Sequence, residues 1–316
     1  MKKTGLLLLL SLTAAAYAQS GPDVAGGPQT SPTAVSFPFE RIQAPTSADL
    51  YCAGFVSQQQ QPNANYVAGG LNTPNTTRFV NGDLIYLAGG GYQTDKEYAI
   101  LREIVDPNRH EAFKGQDKLI KTMGQPYAEL ARVKIIDTRN KMAIAQVEFS
   151  CDPIVPGDVA VPFVEKQTVS YHLPVRFDRY AVPNAKTAGR IVLAKDFDTE
   201  LGTGGKVYLN VGTNQGVKTG DYFRAVRGYE ADRENEVDSL SFKASTTEDT
   251  QKNPPSMNPN FLTRTKGVAI NVSDLPRRSV GEVVILSATP TTATGMIVFA
   301  LEDVHVGDNV ELDEQQ

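Results

Sequence analysis

Between residues 51 and 312 the chain runs twice through one series of short segments in the same order. Such self-similarity constrains the fold more than any single motif, because each copy must be one structural unit. Ala53-Gly54-Phe55-Val56 is echoed by Ala188-Gly189-Arg190-Ile191-Val192, and Asp83-Leu84-Ile85-Tyr86-Leu87 by Lys206-Val207-Tyr208-Leu209. The segment ending at Arg102 matches the one ending at Arg227. Tyr127 to Phe149 matches Val280 to Leu301, each reading as strand, turn and strand. Pro156-Gly157-Asp158-Val159 closes the first copy, and Val306-Gly307-Asp308-Asn309-Val310 the second.

Within each copy, short runs rich in Val, Ile, Tyr and Phe are punctuated by Gly, Pro, Asn and Asp, as antiparallel strands are. Strands are expected over residues 54–57, 84–88, 98–103, 128–137, 142–150 and 159–163. One helix is expected over Arg109–Met123, with Gly124 as its C-cap. Five or six short strands cannot hide both edges as a flat sheet, so each unit is expected to close. The fold expected is mainly β: two tandem small antiparallel β-barrels with one short helix and long loops.

The boundaries follow. Residues 1–18 form a signal peptide, 19–50 a flexible tether, and 51–165 the first barrel repeat. A connector spans 166–187 and the second repeat spans 188–312. Inside the second repeat, 230–279 is polar and contains Pro254-Pro255 and Pro259, so a mobile insertion is expected there. In the first repeat the helix takes its place.

Lys2 and Lys3 precede the apolar run Leu6–Leu12 and the small-x-small site Ala16-Tyr17-Ala18, which is the pattern of an export signal cleaved after Ala18. No cysteine follows that site, and no later run reaches the 18 or so apolar residues a membrane-spanning helix needs. A periplasmic or secreted, non-spanning protein is expected. The 31 Lys and Arg against 36 Asp and Glu give a net charge of -5 with no basic run, which argues against nucleic acid as a partner. Cys52 and Cys151 are the only cysteines. In an exported chain a single disulfide is the default, with two free buried thiols as the alternative.

Little in the sequence points to catalysis. His110, His172 and His305 lie in separate segments without metal-ligand spacing, and no G-x-S-x-G elbow occurs. Gly202-Thr203-Gly204-Gly205-Lys206 resembles a phosphate loop, but Glu200 and Val207 stand where that motif needs Gly and Ser or Thr. Gly89-Gly90-Gly91 reads as a hairpin tip. Four Gly-Asp pairs, ending at Asp83, Asp158, Asp221 and Asp308, read chiefly as turns, with a glycosidase-like pair of acids as the rival reading. Asn75-Thr76-Thr77 and Asn271-Val272-Ser273 are formal glycosylation sequons. No catalytic, cofactor-binding or metal-binding residue is assigned.

Gly205 to Gly212, continuing through Gln215-Gly216-Val217-Lys218-Thr219-Gly220-Asp221-Tyr222-Phe223, resembles the C-terminal domain of the flagellar assembly protein T family. There, too, a small barrel ends in G-D-x-V, as Gly307–Val310 do. The chain is also similar to bacterial envelope proteins that often carry a LysM module, in which a cysteine precedes Gly-Phe and Ser-Cys-Asp stands near the end. Cys52-Ala53-Gly54-Phe55 and Ser150-Cys151-Asp152 fit that pattern, and no LysM module is visible here. The resemblance implies a noncatalytic envelope protein. The function expected is a structural or docking module for another envelope component. The alternatives are a peptidoglycan-binding protein or a wall hydrolase using carboxylates such as Asp158 or Asp308.

Overall fold

The computed structural model describes residues 34–36, 42–105, 111–228 and 276–313. Ahead of the first barrel lie β1 (Ala34–Ser36), β2 (Ile42–Gln43), α1 (Ser47–Tyr51) and β3 (Phe55–Ser57). The barrel itself uses β4 (Tyr66–Gly70), β5 (Leu84–Ala88), β6 (Glu97–Glu103), β7 (Gln125–Arg139), β8 (Met142–Ser150) and β9 (Val159–Pro162), with α2 (Gln116–Met123) between β6 and β7. The connector carries β10 (Tyr171–His172) and β11 (Arg176–Asp178). The second barrel uses β12 (Ala188–Ala194), β14 (Lys206–Leu209), β15 (Tyr222–Arg227), β16 (Arg278–Ala288), β17 (Ala293–Ala300) and β19 (Asn309–Asp313), with a small side pair, β13 (Glu200–Leu201) and β18 (Val304–His305).

Both barrels are closed, six-stranded and antiparallel. The first runs β4-β5-β8-β7-β6-β9 and the second β12-β14-β17-β16-β15-β19, one cyclic order used twice. The match extends to irregularities. Register shifts fall at Val67/Gly69 and Ile191/Leu193, at Ile100/Leu101 and Ala225/Val226, at Arg132/Val133 and Glu282/Val283, and at Ile135/Asp137 and Ile285/Ser287. A bulge bends a strand and raises its twist, so four shared bulges give the two sheets the same curvature.

These registers correct one expected match. The counterpart of β12 is β4, not Ala53–Val56, since Val67 and Ile191 occupy equivalent bulge positions. β4 escaped the sequence reading because Gly69 and Gly70 make it look like a loop. β3 lies outside the first barrel, added to the start of β7. Part of the expected tether is also structured: β1 pairs with β11, β2 with β10, and α1 is held by a capping box in which Thr46 and Asp49 exchange bonds.

The helix is shorter than expected at its N-terminus. Glu111 accepts hydrogen bonds from the N–H groups of Gly115 and Asp117, ending the preceding turn, and these bonds hold its carboxyl below the usual range. Phe113 then turns into the hydrophobic cluster of the second barrel. Arg109 and His110, with which the expected helix began, lie outside the described residues, as do the signal segment and most of the expected insertion. Its last two residues, Arg278 and Ser279, begin β16.

The first barrel alternates, with Ile85, Leu87, Val133, Ile135, Ala145 and Val147 inward and a mixture of polar residues, such as Gln146 and Glu148, and apolar ones, such as Ile136 and Met142, outward. The second is buried on both faces of β16 and β17: Val283, Ile285 and Ile297 face in, while Val284, Leu286, Met296 and Val298 pack outward against Leu50, Ala53 and Val169. At the positions equivalent to that outer set the first barrel has Lys134, Ile136, Gln146 and Glu148. Replacing three charged or amide side chains by apolar ones makes this face of the second barrel the one covered by α1 and the connector.

The two barrels are welded through Ala53–Val56. Tyr208 Oη donates to Ala53 O at 2.8 Å, Thr294 Oγ1 to Gly54 O at 3.1 Å and Thr292 Oγ1 to Val56 O at 2.7 Å, all buried. The Val56 side chain is 2% exposed within the cluster of the second barrel. From α2, Gln116 Nε2 donates to Val192 O at 2.9 Å, and the Arg190 guanidinium lies 4.8 Å above the Phe113 ring.

Candidate functional site

The Gly-Asp pairs are the residues most exposed to a catalytic reading, and the structure commits all four to turns. The side chains of Asp83, Asp158, Asp221 and Asp308 accept the backbone N–H three residues earlier, from Val80, Val155, Lys218 and His305, at 2.7–2.8 Å. In each turn the glycine N–H donates to a neighbouring strand and that strand residue donates back to the Asp carbonyl, for example Gly307 N to Ile191 O and Ile191 N to Asp308 O. Gly82, Gly157, Gly220 and Gly307 hold φ between +86° and +103°, a region that favours glycine. Asp95 and Gly204 hold positive φ at the two remaining equivalent turns, so each barrel has three.

The proposed hydrolase acids, Asp158 and Asp308, carry a second commitment. Arg102 of β6 grips Asp158 through Nε at 2.8 Å and a terminal nitrogen at 2.7 Å. Arg227 of β15 grips Asp308 the same way, at 3.0 and 2.8 Å. The two carboxylates are 4% and 0% exposed. They belong to different barrels and each is neutralised by its own bidentate guanidinium, so they do not form a shared pair.

A cavity of about 510 Å³ opens between α1, the disulfide and the 195–206 stretch. Asp49, Asp196, Asp198, Glu200, Lys195 and Lys206 supply its charge. Burial alone would raise the Asp49 carboxyl, but bonds from Lys206 and Thr46 hold it below its ordinary value. Lys195 lies 3.8 Å from Asp196. A glycosidase site needs a protonated carboxyl facing an ionised one; Asp49 supplies only the ionised kind. The glycine-rich 202–206 stretch lines this cavity and runs directly into β14, where a phosphate loop would open a helix.

Cys52 and Cys151 form the expected disulfide, with Cα atoms 5.6 Å apart. Cys52 caps the C-terminus of α1 and Cys151 follows β8, so the bond ties the α1–β3 arm to the first barrel rather than joining two barrel strands. His172 Nδ1 meets Leu173 O at 3.0 Å and its ring packs on Tyr222, while His305 is 8% exposed in β18. Among the described residues no group of three or more His, Cys, Asp and Glu is placed to hold a metal ion. Gly89–Gly91 is not a hairpin tip, because the strands it joins, β5 and β6, are not neighbours; Asn65 brackets Gly90 on both polar sides. Asn75 sits on an exposed turn, and Asn271 lies outside the described residues.

Two carboxyls with raised affinity for protons were missed from the sequence. Glu129 is pushed up by burial, an effect opposed by Lys166 at 2.7 Å and the Gly54 N–H at 3.0 Å. Glu282 is pushed up to about 7 by burial and by Asp313, opposed by Arg224, and its Oε2 has no hydrogen-bond partner. Neither had a local motif. Among the described residues no helix is long and apolar enough to cross a membrane. No protein-family description matches the chain, and no characterised protein does.

Proposed function

We propose that this protein is an exported, noncatalytic component of the bacterial cell envelope whose two welded barrels act as a rigid docking module. The observation that carries this reading is the arrangement of Asp158 and Asp308, each buried, turned into its own Gly-Asp turn and held by its own arginine. These carboxylates shape the turns that close the barrels, each accepting two bonds from its arginine and one from the backbone three residues earlier. The Cys52–Cys151 bond supports export, since such bonds persist in oxidising compartments, and Lys2 to Ala18 supply the export pattern. The resemblance to the flagellar assembly protein T family and to LysM-associated envelope proteins supports the same reading.

Incubation with isolated peptidoglycan sacculi tests it. The expected outcome is no release of soluble fragments and no co-sedimentation. Fragment release abolished by Asp308→Asn would establish a hydrolase instead, and saturable co-sedimentation would establish a glycan binder.

A further inference from the structure

The outer face of the second barrel carries a carboxyl that its neighbours leave over. The strand ladders place Arg224 of β15 and Phe299 of β17 beside Glu282, and Arg224 in turn faces Glu311 of β19. Asp313 accepts from Arg224 at 2.6 Å, and both oxygens of Glu311 are taken by Arg277. Three carboxyls therefore share two guanidiniums, and Glu282 is the one whose Oε2 has no hydrogen-bond partner. The remaining arginines nearby are committed elsewhere, Arg179 and Arg278 to Glu302 and Arg227 to Asp308.

Residues 176–184 of the connector lie across this face. Phe177 packs edge-on against Phe299, with ring centroids 5.0 Å apart. Arg179 O accepts from Ser279 N at 2.6 Å, Ala181 O accepts from Arg277 at 3.2 Å, and Asn184 Nδ2 donates to Leu312 O at 2.6 Å. Arg176 and Asp178 alternate to the exposed side, and β1 pairs along β11. The stretch is thus seated by one ring contact, the Arg179–Glu302 ion pair and single hydrogen bonds, and among the described residues no strand ladder joins it to the barrel. Six buried side-chain polar atoms of the described residues lack a hydrogen-bond partner, and five belong to this seam: the Nε atoms of Arg179, Arg224 and Arg277, Ser279 Oγ and Glu282 Oε2. Each has given up water without a bond in return, so the seam opens more readily than a satisfied one.

We propose that residues 176–184, with the β1 strand paired to them, form a strap over the second barrel that Glu282 latches by its protonation: seated while the carboxyl is neutral, released as it ionises. With its proton, Glu282 is a neutral group beside Phe299, and the two guanidiniums match the two other carboxylates. Without it, an unpaired charge lies buried near Asp313, and lifting the strap lets water reach that charge. Burial and Asp313 raise the seated carboxyl from 4.5 to about 7. The seated state therefore binds the proton more tightly than the open one, and loses ground as pH rises from about 4.5 through about 7.

Amide hydrogen exchange at pH 5 and pH 8, corrected for the intrinsic effect of pH, tests this in the wild type and in Glu282→Gln. Ser279 N–H, bonded to Arg179 O, and the amides of β11 report the strap, while those of β7 in the first barrel report global unfolding. In the wild type the strap amides are expected to be less protected than β7 at both pH values and to lose about tenfold or more between them. The shift from 4.5 to about 7 sets a ceiling on the order of a hundredfold. Glu282→Gln, which stays neutral, is expected to keep its pH 5 protection at pH 8. Carbon NMR of the wild-type Glu282 carboxyl gives the same attribution without a variant, with titration expected at the pH where strap protection stops falling. Strap protection equal to that of β7 overturns the proposal, because exchange would then require global unfolding. So does wild-type protection unchanged by pH, an equal loss in Glu282→Gln, or a Glu282 carboxyl that titrates at its ordinary value.

Discussion

Glu282 shows how one residue reports the difference between two copies of a module. Its counterpart is Arg132, 39% exposed and near Glu97 and Glu148 at the surface. Glu282 is buried beside Phe299, on which Phe177 of the connector packs. With the folded-state value raised to about 7 from 4.5, the native state holds this proton more tightly than the unfolded chain. Its contribution is therefore most favourable below the unfolded value, and stability falls as pH rises from about 4.5 through about 7. Urea unfolding of Glu282→Gln should show a gain on the order of 3 kcal/mol over wild type at pH 8 and little difference at pH 4. The arginine pairs make a second test. Arg227 is 4% exposed and Arg102 36%, so Arg227→Ala should cost about 3–5 kcal/mol by stranding Asp308. Arg102→Ala should cost less, about 1–3 kcal/mol, because water reaches Asp158 once the side chain is gone. Equal losses in parallel denaturation curves would contradict this assignment of burial.

Strands that alternate were legible, and strands that do not were only partly so. β5 and β8 lie where the sequence puts them, because Ile85 and Leu87, or Ala143, Ala145 and Val147, alternate with outward residues. β4 was lost to its glycines, and the start of α2 to Phe113, whose apolar side chain extends a helical stripe in sequence yet packs into the other barrel. The unbroken apolar runs of β16 and β17 did carry a signal for burial on both faces, the face that the arm and connector cover. The Gly-Asp turns were readable from local chemistry alone, but the arginine partners of Asp158 and Asp308 lie 56 and 81 residues away, a pairing that only the closed barrel creates. At this scale the disulfide anchors the arm carrying α1 and β3. It closes a separation of 99 residues, for which chain entropy allows about 4–5 kcal/mol. Serine at both cysteines should lower stability by a large part of that amount in denaturant titrations, and the arm's amides, including Gly54 and Val56, should lose hydrogen-exchange protection before those of β7.

At the scale of the whole molecule, one barrel occurs twice, and the Ala53–Val56 segment and α2 make the pair a single body. The duplication was visible in sequence through Asp158 and Asp308, Arg102 and Arg227, and Ile135 and Ile285. The weld was not, because Val56 looks like any strand residue until Thr292 and Thr294 are brought beside it. The acidic cavity by α1 likewise joins Asp49 to Lys206 across 157 residues. Differential scanning calorimetry reads this unity out. A single body gives one endotherm whose calorimetric and van't Hoff enthalpies agree, separating into two transitions when Val56→Asp breaks the contact. A wild-type protein that already melts in two independent steps would contradict it.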